Sequence, residues 1–264
     1  MNVIVCLKQV PDTESVIKVK PDGSGIETEG LKYVINPYDE FAVEEALRTK
    51  EKLGGEVTIV CVGPDRAVES IRMALAMGAD KAVHLNDPAL FEGDALTTAK
   101  ALAAAIKQMP YDLIFCGKQA VDDDMAQVGP ALAQLLGIPH VSVINKFEVL
   151  EGGRAARVTR QVEGGEESVE CPLPALFTCQ KGLNEPRYAS LPGIMKAKKK
   201  PLETKDLAAL GLSADEVGAK GARVKAVRYY SPPERQPGRI IEGETVEERV
   251  AQLVKLLRDE AKVI

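Results

Sequence analysis

The first 145 residues alternate between short, continuously apolar runs and longer stretches whose apolar positions recur three and four apart. The runs fall at residues 3–7, 57–62, 82–85, 113–116 and 140–144 and are rich in Val, Ile and Leu. Strands buried on both faces read this way, whereas a half-buried strand alternates. Four helices fit between them. The first takes Asn36 as its N-cap, Pro37 as its first residue and Asp39 at the capping-box position, and it ends before Gly54. The others span about 66–77, 95–107 and 126–136, with Gly78 and Gly137 as stops for the second and fourth. This alternation predicts an α/β fold: an open, mostly parallel sheet with helices on both faces.

Two departures mark the pattern. Lys20-Pro21-Asp22-Gly23 reads as a hairpin turn inside the long connection 16–30. After residue 144, runs at 147–150 and 157–161 flank Glu151-Gly152-Gly153, predicting a hairpin, and Gly164-Gly165 marks another turn. Pro172, Pro174, Pro186, Pro192 and Pro201 then break up a segment that reaches Lys198-Lys199-Lys200. Ser231-Pro232-Pro233 and Pro237-Gly238 predict an extended arm. A final helix starts at Thr245 with Glu248 completing a capping box, and its apolar stripe is Val246, Val250, Leu253, Val254 and Leu257. The division expected is 1–200 for the α/β domain and 201–264 for the arm and C-terminal helix.

Composition narrows the function. A formal charge of −5 on 264 residues argues against a nucleic-acid binder, which needs a basic stripe. No apolar run approaches a bilayer span, and the chain enters a strand-like run directly, so neither a membrane protein nor an exported one is expected. The five cysteines are dispersed, without a C-x-x-C pair, and only His84 and His140 accompany them, so no metal site is expected. Cys6, Cys61 and Cys116 lie in apolar runs, where a thiol packs as a small hydrophobe. Phosphate-loop, dinucleotide and nucleophile-elbow motifs are absent, and no catalytic residues stand out.

Two segments carry the chemistry that remains. Residues 113–130 run from strand through loop into helix and contain Gly117 and the triplet Asp122, Asp123, Asp124. Ligands of open parallel sheets bind beyond the carboxyl ends of the strands, and a helix N-terminus there offers free N–H groups to a phosphate. Gly117 would allow close backbone approach, and the amides of Ala126, Gln127 and Val128 could hold the anion. Three carboxylates would repel a phosphate unless they point toward caps, ribose hydroxyls or solvent. From the residues alone, the simpler reading of the triplet is a charged helix cap. Residues 184–200 place Leu191, Pro192, Ile194 and Met195 between prolines and the cluster Lys198, Lys199, Lys200. A protruding loop with apolar anchors would suit partner docking, with the lysines steering an acidic partner; a solvated connector with a buried Leu191 fits the same residues.

Val5-Cys6-Leu7-Lys8-Gln9-Val10-Pro11-Asp12, Asn36-Pro37-Tyr38-Asp39-Glu40 and the segments 117–129 and 184–200 together resemble electron transfer flavoprotein beta subunits, in order over nearly the whole chain. The resemblance implies an adenine-nucleotide-binding α/β domain in 1–200 and a heterodimer whose alpha subunit holds most of a redox-active FAD. It implies an AMP in this chain, bound by Cys6, Asn36, Pro37, Tyr38, Asp39, Val62, Gly117, Lys118, Gln119, Ala120, Val121, Asp122, Asp123, Asp124, Met125, Ala126, Gln127 and Val128. It further implies a docking loop around Leu191 for acyl-CoA or related dehydrogenases of fatty acid beta-oxidation, a quinone-reducing acceptor protein, and a C-terminal arm and helix packed on the alpha subunit. Such a carrier is not itself an enzyme and would be cytoplasmic, or in the mitochondrial matrix of a eukaryote. Where some family members place a flavin-contacting Tyr, this chain has Thr13. A bifurcating subgroup holds a second FAD in the AMP position, but the Leu191-Pro192-Gly193-Ile194 stretch departs from its pattern and favours AMP. An ATP-pyrophosphate-cleaving ligase of similar fold would want a Ser/Gly-rich loop where Lys8-Gln9-Val10-Pro11-Asp12 stands. A stand-alone nucleotide sensor docking through Leu191 is the remaining alternative.

Overall fold

The computed structural model describes residues 1–235 and 237–264; Gln236, inside the expected arm, lies outside the described residues. In chain order the strands and helices are β1 (Asn2–Cys6), β2 (Gln9–Pro11), β3 (Tyr33–Ile35), α1 (Pro37–Leu53), β4 (Glu56–Val62), α2 (Ala67–Met77), β5 (Lys81–Leu85), α3 (Ala95–Ile106), β6 (Leu113–Gly117), α4 (Val128–Leu136), β7 (His140–Val149), β8 (Ala155–Val162), β9 (Gly165–Pro172), β10 (Ala175–Cys179), α5 (Leu191–Ala197), β11 (Leu202–Lys205), α6 (Leu207–Leu210), α7 (Gly218–Gly221) and α8 (Val246–Asp259). The chain divides into two compact units, one of Met1–Ile17 with Glu27–Val227 and one of Lys18–Ile26 with Arg228–Ile264.

In the larger unit a nine-stranded sheet has the order β11-β5-β4-β1-β6-β10-β7-β8-β9, and β2 pairs with β3 in a small separate sheet. Pairing is parallel from β11 through β7 and antiparallel from β7 through β9. Each central strand buries both faces, as its unbroken apolar sequence requires. Val3, Val5 and Leu7 join the core that includes Val43 and Leu47 of α1 and Ile71 and Leu75 of α2, while Ile4 and Cys6 join the core with Leu102 of α3 and Leu132 of α4. The aromatic trio Phe115, Phe147 and Phe177, with centroids 5.0 to 6.0 Å apart, ties β6 and β10 to the antiparallel end of the sheet.

The expected strands and four helices are present and, β7 apart, their ends shift by a residue or two, α4 starting at Val128 rather than 126. The turns at 20–23, 151–153 and 164–165 are also present. Three features of the main sheet were not anticipated. Strand β10, in the proline-rich segment, lies between β6 and β7 and is wholly buried. The prolines lie outside it, so no ladder donor is lost. Strand β7 runs five residues longer than expected, past a bulge opposite Thr178 where Val143 takes φ 65° and donates its N–H to the Thr178 hydroxyl. A bulge bends a strand, and here β7 leaves the parallel sheet to pair with β8. Finally, β11 adds to the sheet edge beside β5, so residues 202–227 continue the larger unit beyond the expected boundary at 200.

In the smaller unit, Val19 and Ile26 form a β-bridge across the turn, and Tyr229 N–H donates to Gly23 O. Helix α8 has the expected capping box between Thr245 and Glu248, and none of its side chains is buried.

Candidate functional site

The sheet order fixes where a ligand would enter. After β1 the chain builds outward through β4 and β5, then β6 returns to the other side of β1. Connections therefore leave β1 and β6 in opposite directions, and a crevice opens beyond their carboxyl ends. Cys6 and Gly117 end these strands, Val62 ends β4, residues 36–39 begin α1, and the loop 118–127 leads into α4. Every residue expected at the nucleotide site thus lies along one edge of the sheet, although they come from four separate parts of the chain.

Asp39 organises this edge. Its buried carboxylate accepts the N–H of Lys8 at 2.7 Å, the N–H of Gly117 at 3.0 Å and the side-chain amide of Asn36 at 3.0 Å. Burial pushes its pKa up to about 7 against the opposing pull of those donors. Asn36 does not cap α1 with its side chain, contrary to the sequence expectation. Its amide also donates to Gln119 O at 2.9 Å and its carbonyl accepts from Val121 N–H at 3.1 Å, so it fixes the start of the loop instead. Gly117 has a different role from the one expected. A Cβ there would lie 2.3 Å from Asp39 Oδ1 and 2.8 Å from the Tyr38 carbonyl carbon, so the missing side chain admits the N-terminus of α1. Lys118 Nζ sits 4.9 Å from the centroid of the Tyr38 ring.

The aspartate triplet is held by bonds within the chain, although one lysine offsets only part of its charge. Lys8 Nζ donates to Asp122 Oδ1 at 2.7 Å and to Asp123 Oδ2 at 3.0 Å, and Gln119 donates to Asp124. Burial alone would lower the Lys8 pKa, but the two carboxylates outweigh it and hold it above its ordinary value. Lys8, two residues beyond β1, is the site residue the sequence analysis missed; its position at the switch point was the available signal. The loop is strained, with Asp124 at φ 51° and Ala126 at φ 54°, left-handed angles that non-glycine residues rarely adopt. Met125 and Ala126 are exposed. Because α4 starts at Val128, the amides available to an anion move along the chain. Ala131 donates to Gln127 O and Pro130 has no N–H, so those of Gln127, Val128 and Gly129 have no protein acceptor among the described residues. Ala126 precedes this terminus. Three free amides and a helix dipole suit a phosphate, with Asp122 and Asp123 drawn onto Lys8.

The thiols near the crevice pack in the interior. All five cysteines are buried; burial pushes Cys61 up to about 12, and hydrogen bonding with Cys6 and burial raise Cys116. His84 is satisfied by Gly63 O at 2.7 Å, and His140 opens β7. Among the described residues no group of His, Cys, Asp or Glu could hold a metal ion, and no helix is long and apolar enough to cross a membrane.

The second segment forms a short helix rather than an irregular loop. Ser190 caps α5 through the Gly193 N–H, and Pro192 falls in the first turn, where its missing N–H costs nothing. Leu191 is 79% exposed and Met195 72%, with Ile194 less so, and only Ala197 is buried. Lys198 and Lys199 are exposed, as steering requires, but Lys200 is not a free charge: its ammonium donates to Leu75 O at 2.9 Å and to Ala79 O. The segment before α5 is pinned to α1. Asn184 donates to Phe41 O and Glu45, and Arg187 forms ion pairs with Glu44 and Glu51.

An electron transfer flavoprotein domain matches residues 24–210. The chain is 44% identical to the electron transfer flavoprotein subunit beta of Bacillus subtilis over the full length of both. It is 41% identical to the subunit of that name in Mus musculus, over 98% of each chain. It is equally 41% identical, over 98% of each, to a protein of Acetobacterium woodii named Caffeyl-CoA reductase-Etf complex subunit CarD. With a domain match over more than half of its residues and relatives aligned end to end, the chain belongs to the electron transfer flavoprotein family, on its beta-subunit side, and is an electron carrier rather than an enzyme.

Proposed function

We propose that this chain is the beta subunit of a heterodimeric electron transfer flavoprotein that buries an AMP and carries the docking element for dehydrogenases. The observation that carries the reading is the helix terminus at the switch point, where the amides of Gln127, Val128 and Gly129 face no protein acceptor among the described residues and Lys8 has taken up Asp122 and Asp123. An adenine nucleotide bound there by its phosphate would lie along residues 36–39 and 117–128, with Cys6 and Val62 at the adjoining strand ends. AMP supplies no redox chemistry; this chain's residues hold it and tie α1 to β6. The redox-active FAD belongs mainly to the alpha subunit, against which the exposed apolar stripe of α8 would pack. Electrons would pass from acyl-CoA or related dehydrogenases of fatty acid beta-oxidation to a quinone-reducing acceptor, in the cytoplasm. Leu191, Pro192, Ile194 and Met195 would anchor the donor, and Lys198 and Lys199 would steer it.

A second reading, with FAD in the AMP position of a bifurcating complex, has one observation in its favour, the relative named as part of a reductase–Etf complex. Mass spectrometry of the nucleotide released from the purified complex separates the two. AMP equimolar with one FAD is expected; two FAD per dimer without AMP would overturn the first reading for the second.

A further inference from the structure

Helix α5 is too short to be stable by itself, yet its backbone is tightly held. Arg72, on α2, donates through Nη1 to Ala197 O at 2.7 Å and to Lys200 O at 2.8 Å, satisfying carbonyls at the end of α5. Lys200, just past α5, donates to Leu75 O and Ala79 O at the end of α2. Each helix therefore lends a cation to the carbonyl end of the other, where it opposes the negative end of the dipole. Between these bonds the two backbones meet directly: a Cβ on Gly193 would lie 2.4 Å from Ala76 O. Burial lowers the Lys200 pKa, because the ammonium is partly withdrawn from solvent. What this bracing supports is the exposed apolar tip of Leu191 and Met195.

We propose that Arg72 and Lys200 are positioning residues for dehydrogenase docking, a reciprocal clamp that holds α5 in the conformation presenting Leu191 and Met195 as one apolar tip. The inference rests on the docking reading above. A clamped tip binds without first being ordered, so affinity is not reduced by the fraction of time it is misplaced. Lys200 thereby differs from Lys198 and Lys199 in kind, since a steering charge acts through long-range attraction that salt screens.

The test uses the purified complex with its alpha subunit, reduced by an acyl-CoA dehydrogenase at low and moderate salt, with amide exchange over residues 191–200. If the released tip is docking-competent about one-tenth of the time, Arg72→Met and Lys200→Met raise KM for the carrier about tenfold at both salt concentrations. The maximal rate should stay unchanged, exchange in α5 should quicken, and Lys200→Arg should restore both. Lys198→Met should raise KM at low salt only. Should a methionine variant not fold, Gly193→Ala carries the test, because it pushes α5 off Ala76 O while leaving both cations, and the same KM rise is expected. A Lys200→Met profile that copies Lys198→Met, or normal KM with fast exchange in α5, overturns the clamp. Leu191→Ala guards the underlying reading: about a tenfold to hundredfold loss of efficiency is expected from a buried anchor. A normal KM in that variant sinks docking through α5, and the clamp proposal with it, whereas a loss in Leu191→Ala alone sinks only the clamp.

Discussion

Asp39 brings a carboxylate into the carboxyl edge of the sheet, where water cannot solvate it and three N–H donors take its place. Burial outweighs those donors and moves its pKa from an unfolded value near 3.8 to about 7. The folded state therefore binds the proton more tightly than the unfolded one. Stability from this group is fully present below about pH 4 and is lost as pH rises through about 7. An Asp39→Asn variant has no such slope, although its amide N–H₂ would face backbone donors and weaken the junction at every pH. Denaturant melts of the two proteins across pH 4 to 8 should show the wild type losing stability relative to the variant as pH rises. A constant difference would mean that Asp39 titrates alike in both states. The same comparison cancels groups such as Asp94, whose pKa backbone N–H bonds lower against its burial and which contributes the opposite slope.

At the scale of elements, the junction between β6 and α1 depends on a side chain that is absent. Gly117 pairs with Cys179 at the end of the sheet and leaves room for Asp39 and Tyr38. Gly117→Ala inserts a methyl group with nowhere to go, an overpacking that costs about 1–3 kcal/mol. The start of α1 should move away, loosening Asn36 from Gln119 and Val121 and with them the loop proposed to hold the phosphate. The complex should melt several degrees lower and retain the alpha-subunit FAD while losing AMP, measured by a melt and a nucleotide assay on one preparation. Full AMP content with an unchanged melt would place the tight contact elsewhere. Helix α5 belongs to this scale too: a proline-rich sequence still forms a helix because Pro192 occupies the first turn and Ser190 caps it.

For the whole molecule, the two units differ in how much they bury. The larger one has two continuous cores on either face of its sheet, whereas α8 carries an amphipathic stripe with no buried residue and Val246 68% exposed. An apolar face of that kind is covered in a functional assembly or it promotes aggregation. Expressed alone, the chain should be colourless and prone to aggregate; co-expressed with an alpha subunit it should give a yellow 1:1 dimer in which the amides of α8 are protected. A monodisperse monomer with a protected α8 would rule out the partner surface assigned to that helix.

The parallel strands β1, β4, β5 and β6, helices α1 to α3 and the turns were legible in the sequence because each is set by local periods and caps. So was the family, from segments such as Asn36-Pro37-Tyr38-Asp39-Glu40. Strand β10 was not legible: five residues between prolines carry no period of their own, and its place arises from pairing with β6 and β7, far away in sequence. Long-range polar pairing was equally hidden. Lys8 meets Asp122 across 114 positions, Arg72 meets Ala197 across 125, and nothing local in either segment encodes the partner. The sequence by itself therefore determined the locally encoded elements and the candidate nucleotide segment. Only the tertiary structure decided that Lys8 pairs with two of the aspartates, that Gly117 receives Asp39, and that the Lys200 ammonium is bound to the carbonyls at the end of α2. Those outcomes depend on which charges and backbones the folded sheet brings within hydrogen-bond reach.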